Sequence, residues 1–223
     1  GALERGYEVH VVCGETGRLE ELKKLGLIVH PLRIVRGKTG IASSLNTFLE
    51  IFFLLKRIQP DIVHLVTIKP VLFGGLAARL VGVKSVVAAV SGLGFVFVDS
   101  GIRAWLRRMA VGGLYRLALG KKNLKVIFQN PDDRDRLCSL AGISKGKTEM
   151  IRGSGVDLSR YPKTVIPSGA PVVVLVARLL SDKGVMEFVG AANQLKYQGY
   201  QARFCLVGDI DPDNPASLTA EDL

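Results

Sequence analysis

Short apolar runs alternate with longer stretches of helical periodicity along this chain. Glu8–Cys13 (EVHVVC), Leu27–Pro31 (LIVHP), Asp61–Val66 (DIVHLV), Ser85–Val90 (SVVAAV), Lys125–Gln129 (KVIFQ) and Glu149–Arg152 (EMIR) read as strands. Val172–Val176, whose apolar β-branched composition reads as a buried strand, and Arg203–Val207 follow further on. Their β-branched content and length of four to six residues favour strand over helix. Between them lie helical segments. Leu19–Leu25 ends at Gly26, a residue suited to a left-handed helix stop. Ser43–Ile58 offers Ser43 or Ser44 as its cap, and Pro70–Val81 carries Gly74, Gly75, Ala77 and Ala78 for close packing. Ile102–Leu119, Asp132–Ala141 and 185–197 complete the set. Strands alternating with helices predict an α/β fold with a mostly parallel sheet. The Ser85–Val90 strand, apolar on both sides, is expected to be fully buried.

The polar, Pro- and Ser-containing stretch 161–170 divides the pattern. The expected organisation is an N-terminal Rossmann-like domain over 1–160, a linker over 161–170, and the start of a second Rossmann-like domain over 171–223. GALERGYEVHVV reads as the tail of a helix leading into a second strand, so the first strand is expected upstream of Gly1. Two strands are too few for an independent second sheet.

Composition narrows the class. Of 223 residues 48% are apolar, which supports a packed core rather than disorder. Cys13, Cys138 and Cys205 form no metal-ligand spacing and read as free thiols of a reducing compartment. No apolar run approaches the roughly 20 residues of a membrane span. The N-terminal residues lack the basic-then-apolar order of a signal peptide. Charge is unevenly placed: residues 1–165 carry 26 Lys/Arg against 13 Asp/Glu, and residues 166–223 carry 4 against 7. Such asymmetry suggests two domains with different partners.

The candidate chemistry lies after the strand at 172–176. Arg178 ends that run, Lys183 follows five residues on, and Gly184 opens a helix. Strand carboxyl ends are where open α/β sheets bind ligands. Two cations beside a helix N-terminus suit a diphosphate. Earlier in the chain, Thr67, Lys69 and Pro70 follow one strand, and Ser91, Gly92, Leu93 and Gly94 follow the next, so both loops border one crevice. SGLG lacks the third glycine of a dinucleotide fingerprint. His64, inside a strand, reads as a core histidine. Gly101–Lys125 holds seven basic residues and no acid. There Ile102, Trp105, Leu106, Met109 and Leu117 form an apolar stripe beside Arg103, Arg107 and Arg108, which suits either an ordinary surface helix or one resting on anionic lipid. No aromatic-interleaved basic motif or known module points to nucleic acid.

The ordered segments GYEVHVVC, PDIVHLVTIKPVLFG, SVVAAVSGLGFVF, VIFQNPDDRDRL, IRGSGVDLSRYP, VARLLSDKG and FCLVGDIDPDNP together resemble retaining glycosyltransferases of family 4 with the two-Rossmann GT-B fold. Within that family, TIKP and SGLG resemble the segments of bacterial capsule and O-antigen enzymes. The resemblance implies transfer of a sugar from a nucleotide-sugar, UDP-N-acetylhexosamine or UDP-hexose, to a lipid-linked glycan, with retention and without a metal or other cofactor. It implies a cytoplasmic enzyme, peripheral at the inner face of the membrane. Arg178 and Lys183 match the pair that neutralises the donor diphosphate. Gly153, Gly155, Val156 and Asp157 match the loop entering the second domain near the donor cleft. Thr67, Lys69, Pro70, Ser91, Gly92 and Gly94 fall on the acceptor side. Where many relatives place a histidine this chain has Ser91–Gly94, so the catalytic groups are unassigned, with Asp99 a candidate replacement. The family's two donor-side glutamates, seven residues apart, are expected beyond Leu223, which makes the 223-residue chain alone inactive and a poor holder of donor. Two other readings fit the pattern: a sugar-nucleotide epimerase of the same architecture, and a non-catalytic Rossmann domain that binds membranes.

Overall fold

A computed structural model describes residues 1–15, 17–32, 41–92, 102–153, 155–166, 168–212, 214 and 216–222, the side chains of 41–42, 102–107 and 220 excepted. Among these, residues up to Val156 form one compact unit and those from Asp157 a second. The segment expected as a linker, 161–170, belongs to the second unit, and its Val165 and Ile166 are almost fully exposed.

In the first unit β1 (His10–Gly14) and β2 (Ile28–Leu32) form a parallel pair, with α1 (Leu19–Lys24) between them. Gly26 takes the left-handed conformation, φ 81°, that its place after α1 required. A second, four-stranded parallel sheet holds β3 (Ile62–Val66), β4 (Ser85–Val90), β5 (Leu124–Phe128) and β6 (Thr148–Met150) in sequential order. No backbone ladder joins the two sheets, so β1 and β3 each keep an unpaired edge among the described residues.

Helices α2 (Ile41–Ile58), α3 (Gly75–Val81), α4 (Ile102–Leu119) and α5 (Pro131–Ala141) pack over the strands. α2 begins two residues before the expected caps, so Ser43 and Ser44 lie inside it and the Ser43 carbonyl accepts the Thr47 hydroxyl at 3.0 Å. α5 is capped by Asn130, whose side chain accepts the Asp133 N–H at 2.8 Å, with Pro131 in the first turn. One apolar core joins the sheets to these helices: Leu32 of β2, Ile51 and Leu55 of α2, Leu65 of β3, Val86, Ala88 and Val90 of β4, Val126 and Phe128 of β5, and Tyr115 of α4. β4 is buried on alternate residues rather than throughout, so one of its faces is only partly covered. The glycines of α3 and the turn before it work as expected. A Cβ on Gly74 would stand 2.5 Å from the Leu65 side chain, and one on Gly75 3.1 Å from Ala118.

The second unit is smaller. β7 (Val172–Val176) and β8 (Arg203–Val207) pair in parallel and α6 (Val185–Tyr197) packs on them, with Phe188 and Phe204 edge to face at 5.8 Å. Leu180 and Val185 are its fully buried anchors. β7, read from composition as a buried strand, is largely exposed, with Val176 at 74%.

A polar chain crosses the β1–β2 pair. Glu8 binds His10 Nε2 at 2.6 Å, and His10 Nδ1 lies 2.9 Å from His30 Nε2. The two rings are parallel within 6° with centroids 5.1 Å apart. That separation is the nitrogen contact plus one ring's width, so the imidazoles meet edge to edge through a hydrogen bond. Burial first, then His10 and Arg57, hold the His30 imidazole below its ordinary value of 6.5. The unfolded chain therefore takes up this proton first. The contribution is complete above pH 6.5 and is lost as pH falls below it toward the depressed folded value. Denaturant unfolding between pH 7 and pH 5 is expected to show stability falling with acidity, and His30→Gln is expected to flatten that slope; an unchanged slope in the variant would remove His30 as its cause.

Candidate functional site

The larger unit brings one set of expected residues together. β3 and β4 pair in parallel with Val66 opposite Ala89, so the residues after each strand emerge side by side. The Thr67 N–H donates to the Ala89 carbonyl at 3.2 Å, and the Val71 N–H to the Thr67 carbonyl at 3.0 Å. Thr67, Lys69, Pro70, Ser91 and Gly92 thus lie at adjacent strand carboxyl ends. Gly94 and Asp99 fall outside the described residues.

Two backbone features mark this edge that residue types did not announce. Thr67 has φ 73°, a left-handed conformation that β-branched residues rarely adopt. Directly after it, Pro70–Gly74 forms a π-helical turn, a local form that recurs at functional sites. Gly92, at φ 150°, ends the neighbouring strand. His64, expected in the core, is exposed on β3. It shares its face of β3 with Ile62 and Val66, which are exposed too, so that face lacks cover.

An open depression of about 460 Å³ lies elsewhere in the same unit, between β2 and α2, lined by His30, Pro31, Leu32, Glu50, Phe53, Leu54 and Arg57. It includes none of the residues singled out from the sequence.

On α4 the buried side is Gly112, Tyr115, Ala118 and Leu119, whereas Met109, Leu114 and Leu117 are exposed. The side chains of Arg103 and Arg107 lie outside the described residues, and Arg108 is partly buried and engaged. Among the described residues no helix is long and apolar enough to cross a membrane, and no cluster of His, Cys, Asp and Glu could hold a metal ion.

Gly153 and Gly155 both take left-handed conformations, φ 63° and 69°, in a loop where an added Cβ would meet nothing. Val156 is exposed. Asp157 caps the short turn Leu158–Arg160, accepting the Ser159 N–H at 3.1 Å and hydroxyl at 2.7 Å. Those bonds hold its carboxyl below the ordinary value.

The second unit carries the cationic turn. Arg178 follows β7, Ser181–Lys183 make a single 3-10 turn, and Gly184 at φ 74° starts α6. Both cations sit on one short connection pinned by buried Leu180 and Val185. The turn is laced to the segment after β8. The Ala177 N–H donates to the Val207 carbonyl at 3.1 Å, Leu179 N–H to Asp209 at 3.0 Å, Ser181 N–H to Ala216 at 2.8 Å, and Leu218 N–H to Leu179 at 2.9 Å. Arg178 Nη1 donates to Asp211 Oδ2 at 2.6 Å. Lys183 makes no ion pair or side-chain hydrogen bond among the described residues, so its three donors remain available. Such a turn supplies two cations and the free N–H groups of a 13-residue helix at one strand end, which suits the charge of a phosphate or diphosphate.

Residues 1–130 match the family model described as glycosyl transferase 4-like, and the chain belongs to that family. It is similar to the N,N'-diacetylbacillosaminyl-diphospho-undecaprenol alpha-1,3-N-acetylgalactosaminyltransferase of Campylobacter jejuni subsp. jejuni, 29% identical over 231 residues that cover 98% of this chain and 60% of the relative. It is also similar to the UDP-Gal:alpha-D-GlcNAc-diphosphoundecaprenol alpha-1,3-galactosyltransferase of Escherichia coli, 22% identical over 91% of this chain and 54% of that protein. The chain therefore spans little more than half the length of these relatives. Among solved structures, Acinetobacter baumannii MurG superposes with a TM-score of 0.46 at 14% identity, over 92% of this chain and 58% of that one.

Two substitutions test the geometry. A Cβ on Gly208 would lie 1.8 Å from the Ala177 carbonyl oxygen, a backbone atom with no room to withdraw. Gly208→Ala is expected to cost about 3 kcal/mol or more in the second unit, read as lost hydrogen-exchange protection in β7 and β8; full protection would mean the strands do not approach so closely. Thr67→Gly relieves the left-handed strain and is expected to raise stability by up to about 1 kcal/mol after the added backbone entropy of glycine. A lower denaturant midpoint in that variant would show that contacts of the Thr67 side chain outweigh its strain.

Proposed function

We propose that the protein transfers a sugar from a nucleoside-diphosphate sugar, a UDP-hexose or UDP-N-acetylhexosamine, to a lipid-linked saccharide acceptor in surface polysaccharide synthesis. The carrying observation is the Arg178–Lys183 turn at the carboxyl end of β7. As the glycosidic bond of the donor breaks, negative charge gathers on the departing diphosphate. Arg178 and Lys183 stabilise that charge in place, and in this reading no metal or other cofactor is needed. Gly153, Gly155, Val156 and Asp157 are assigned to donor recognition by their resemblance to the family's donor-side loop. The Thr67–Pro70 and Ser91–Gly92 edge takes acceptor hydroxyls.

Both relatives are named as enzymes that form alpha-1,3 linkages on diphosphoundecaprenol-linked sugars. An alpha linkage made from an alpha-linked nucleotide sugar is transfer with retention, and the names support that mechanism here. A lipid-linked acceptor brings the enzyme to a membrane surface from the cytoplasmic side. The exposed Met109, Leu114 and Leu117 on the basic helix α4 support contact with an anionic bilayer.

Calorimetric titration of UDP into the natural protein at full length tests the donor site. Saturable binding is expected, weakened at least tenfold in Arg178→Ala/Lys183→Ala. Equal binding by both proteins would move the nucleotide to another site.

A further inference from the structure

We propose that Asp211 is a positioning residue for Arg178, holding its guanidinium in the orientation that meets the donor diphosphate; this rests on the donor-site reading above. The Asp211 carboxylate accepts Arg178 Nη1 at 2.6 Å across a separation of 33 residues. Arg178 is 57% exposed and Asp211 only 20%, so the acid is the fixed member of the pair.

Its fixity comes from the segment around it. The Asp211 N–H donates to Ser217 Oγ at 3.0 Å, and the Asn214 N–H donates to the Asp211 carbonyl at 2.8 Å. Asn214 in turn accepts the Ala216 N–H on its side chain at 3.0 Å and the Ser217 N–H on its carbonyl at 2.9 Å. Leu180 and Ser217 form an antiparallel bridge that fastens this loop to the cationic turn itself. The loop after β8 is therefore a mount built against the turn after β7, and among the described residues it grips the Arg178 side chain through Asp211.

A long, exposed arginine has many rotamers, and a charge-assisted bond to a fixed carboxylate removes most of them before ligand arrives. Only one edge of the guanidinium is engaged, and its remaining N–H groups stay free to bind phosphate oxygens. Lys183, which has no such partner among the described residues, serves as an unoriented point charge. The two cations thus play different parts, with Arg178 supplying direction and Lys183 supplying charge.

Two effects of Asp211 on an incoming anion have opposite sign, which makes the proposal decidable. As a negative charge beside the site it weakens anion binding. As the orienter of Arg178 it strengthens it. Asp211→Asn removes the charge while leaving the backbone bonds of the loop in place. If charge alone mattered, the variant would bind UDP up to about threefold more tightly at ordinary salt. The positioning role predicts binding weaker by about tenfold.

The experiment is a double-mutant cycle of UDP affinity on the full-length natural protein, using wild type, Asp211→Asn, Arg178→Ala and the double variant, with thermal midpoints recorded for each. The expected result is a tenfold loss in Asp211→Asn, no further loss when it is added to Arg178→Ala, and partial recovery in Asp211→Glu. Unchanged or tighter binding by Asp211→Asn, with binding still lost in Arg178→Ala, would overturn the proposal and leave the donor site standing. A loss that persists undiminished in the Arg178→Ala background would overturn it too, because the damage would then be structural. Binding that ignores both residues would overturn the donor-site reading and the proposal together.

Discussion

The close approach of Ala177 to Gly208 is the constraint on which the cationic turn depends. β7 and β8 run parallel in register from Val172 opposite Arg203 to Val176 opposite Val207, and the ladder continues one step beyond, where Ala177 donates to the Val207 carbonyl. Only a residue without a Cβ fits at 208. Because the two strands end together, the residues that follow each of them leave at the same level. Arg178 and Asp211 meet for that reason, although neither strand contains them. The same logic governs the larger unit, where Val66 lies opposite Ala89 and the loops after β3 and β4 are neighbours. In both units parallel register decides which residues meet at the strand ends.

The two strand-end sites differ in how they are made rigid. Around Arg178 the backbone is relaxed and the work is done by hydrogen bonds across the loop and by the buried anchors Leu180 and Val185. Around Thr67 the backbone itself is under strain, held by bonds from Thr67 to Ala89 and from Val71 to Thr67, and by the packing of Val71, fully buried in the π-helical turn. Strain of this kind persists only where the surroundings over-determine it. The core there includes Leu65 directly before the strand end and Val71 directly after it. In the proposed reading the first edge meets a charged diphosphate and the second neutral hydroxyls, and rigidity by charge and hydrogen bonds at one and by shape at the other suits that division.

The alternation of strands and helices was legible because apolar runs and helical periodicity are properties of neighbouring residues. All eight expected strands are present within about two residues of their predicted bounds. The cationic turn was legible for the same reason: Arg178, Lys183 and Gly184 lie within seven residues, and the family to which the chain belongs is shown by the matched model. Three things were not legible. Thr67 is a poor residue for a left-handed conformation, so its type argued against the geometry it adopts. Asp211 meets Arg178 only through strand pairing, across 33 residues of chain, and its sequence neighbourhood gives no sign of the partner. Exposure was misjudged for β7 and His64 because composition reports what a strand is suited to, whereas burial depends on what covers it.

β7 presses that last distinction furthest. A run of four valines and a leucine is suited to cover on both faces, yet Val172, Val173, Val174 and Val176 are between 41% and 74% exposed, and the sheet has only two strands among the described residues. A two-stranded sheet is marginal in water. The cationic turn is tied at its Arg178 end to β8 and the residue after it, through Ala177 to Val207 and Leu179 to Asp209, so its geometry is only as firm as the pairing beneath it. Orientation by Asp211 acts within the turn and cannot replace cover on the strands. If the turn binds a diphosphate as proposed, its affinity responds to two separable quantities: the local alignment of Arg178, set by the loop after β8, and the persistence of the β7–β8 pair, set by the apolar cover on those valines.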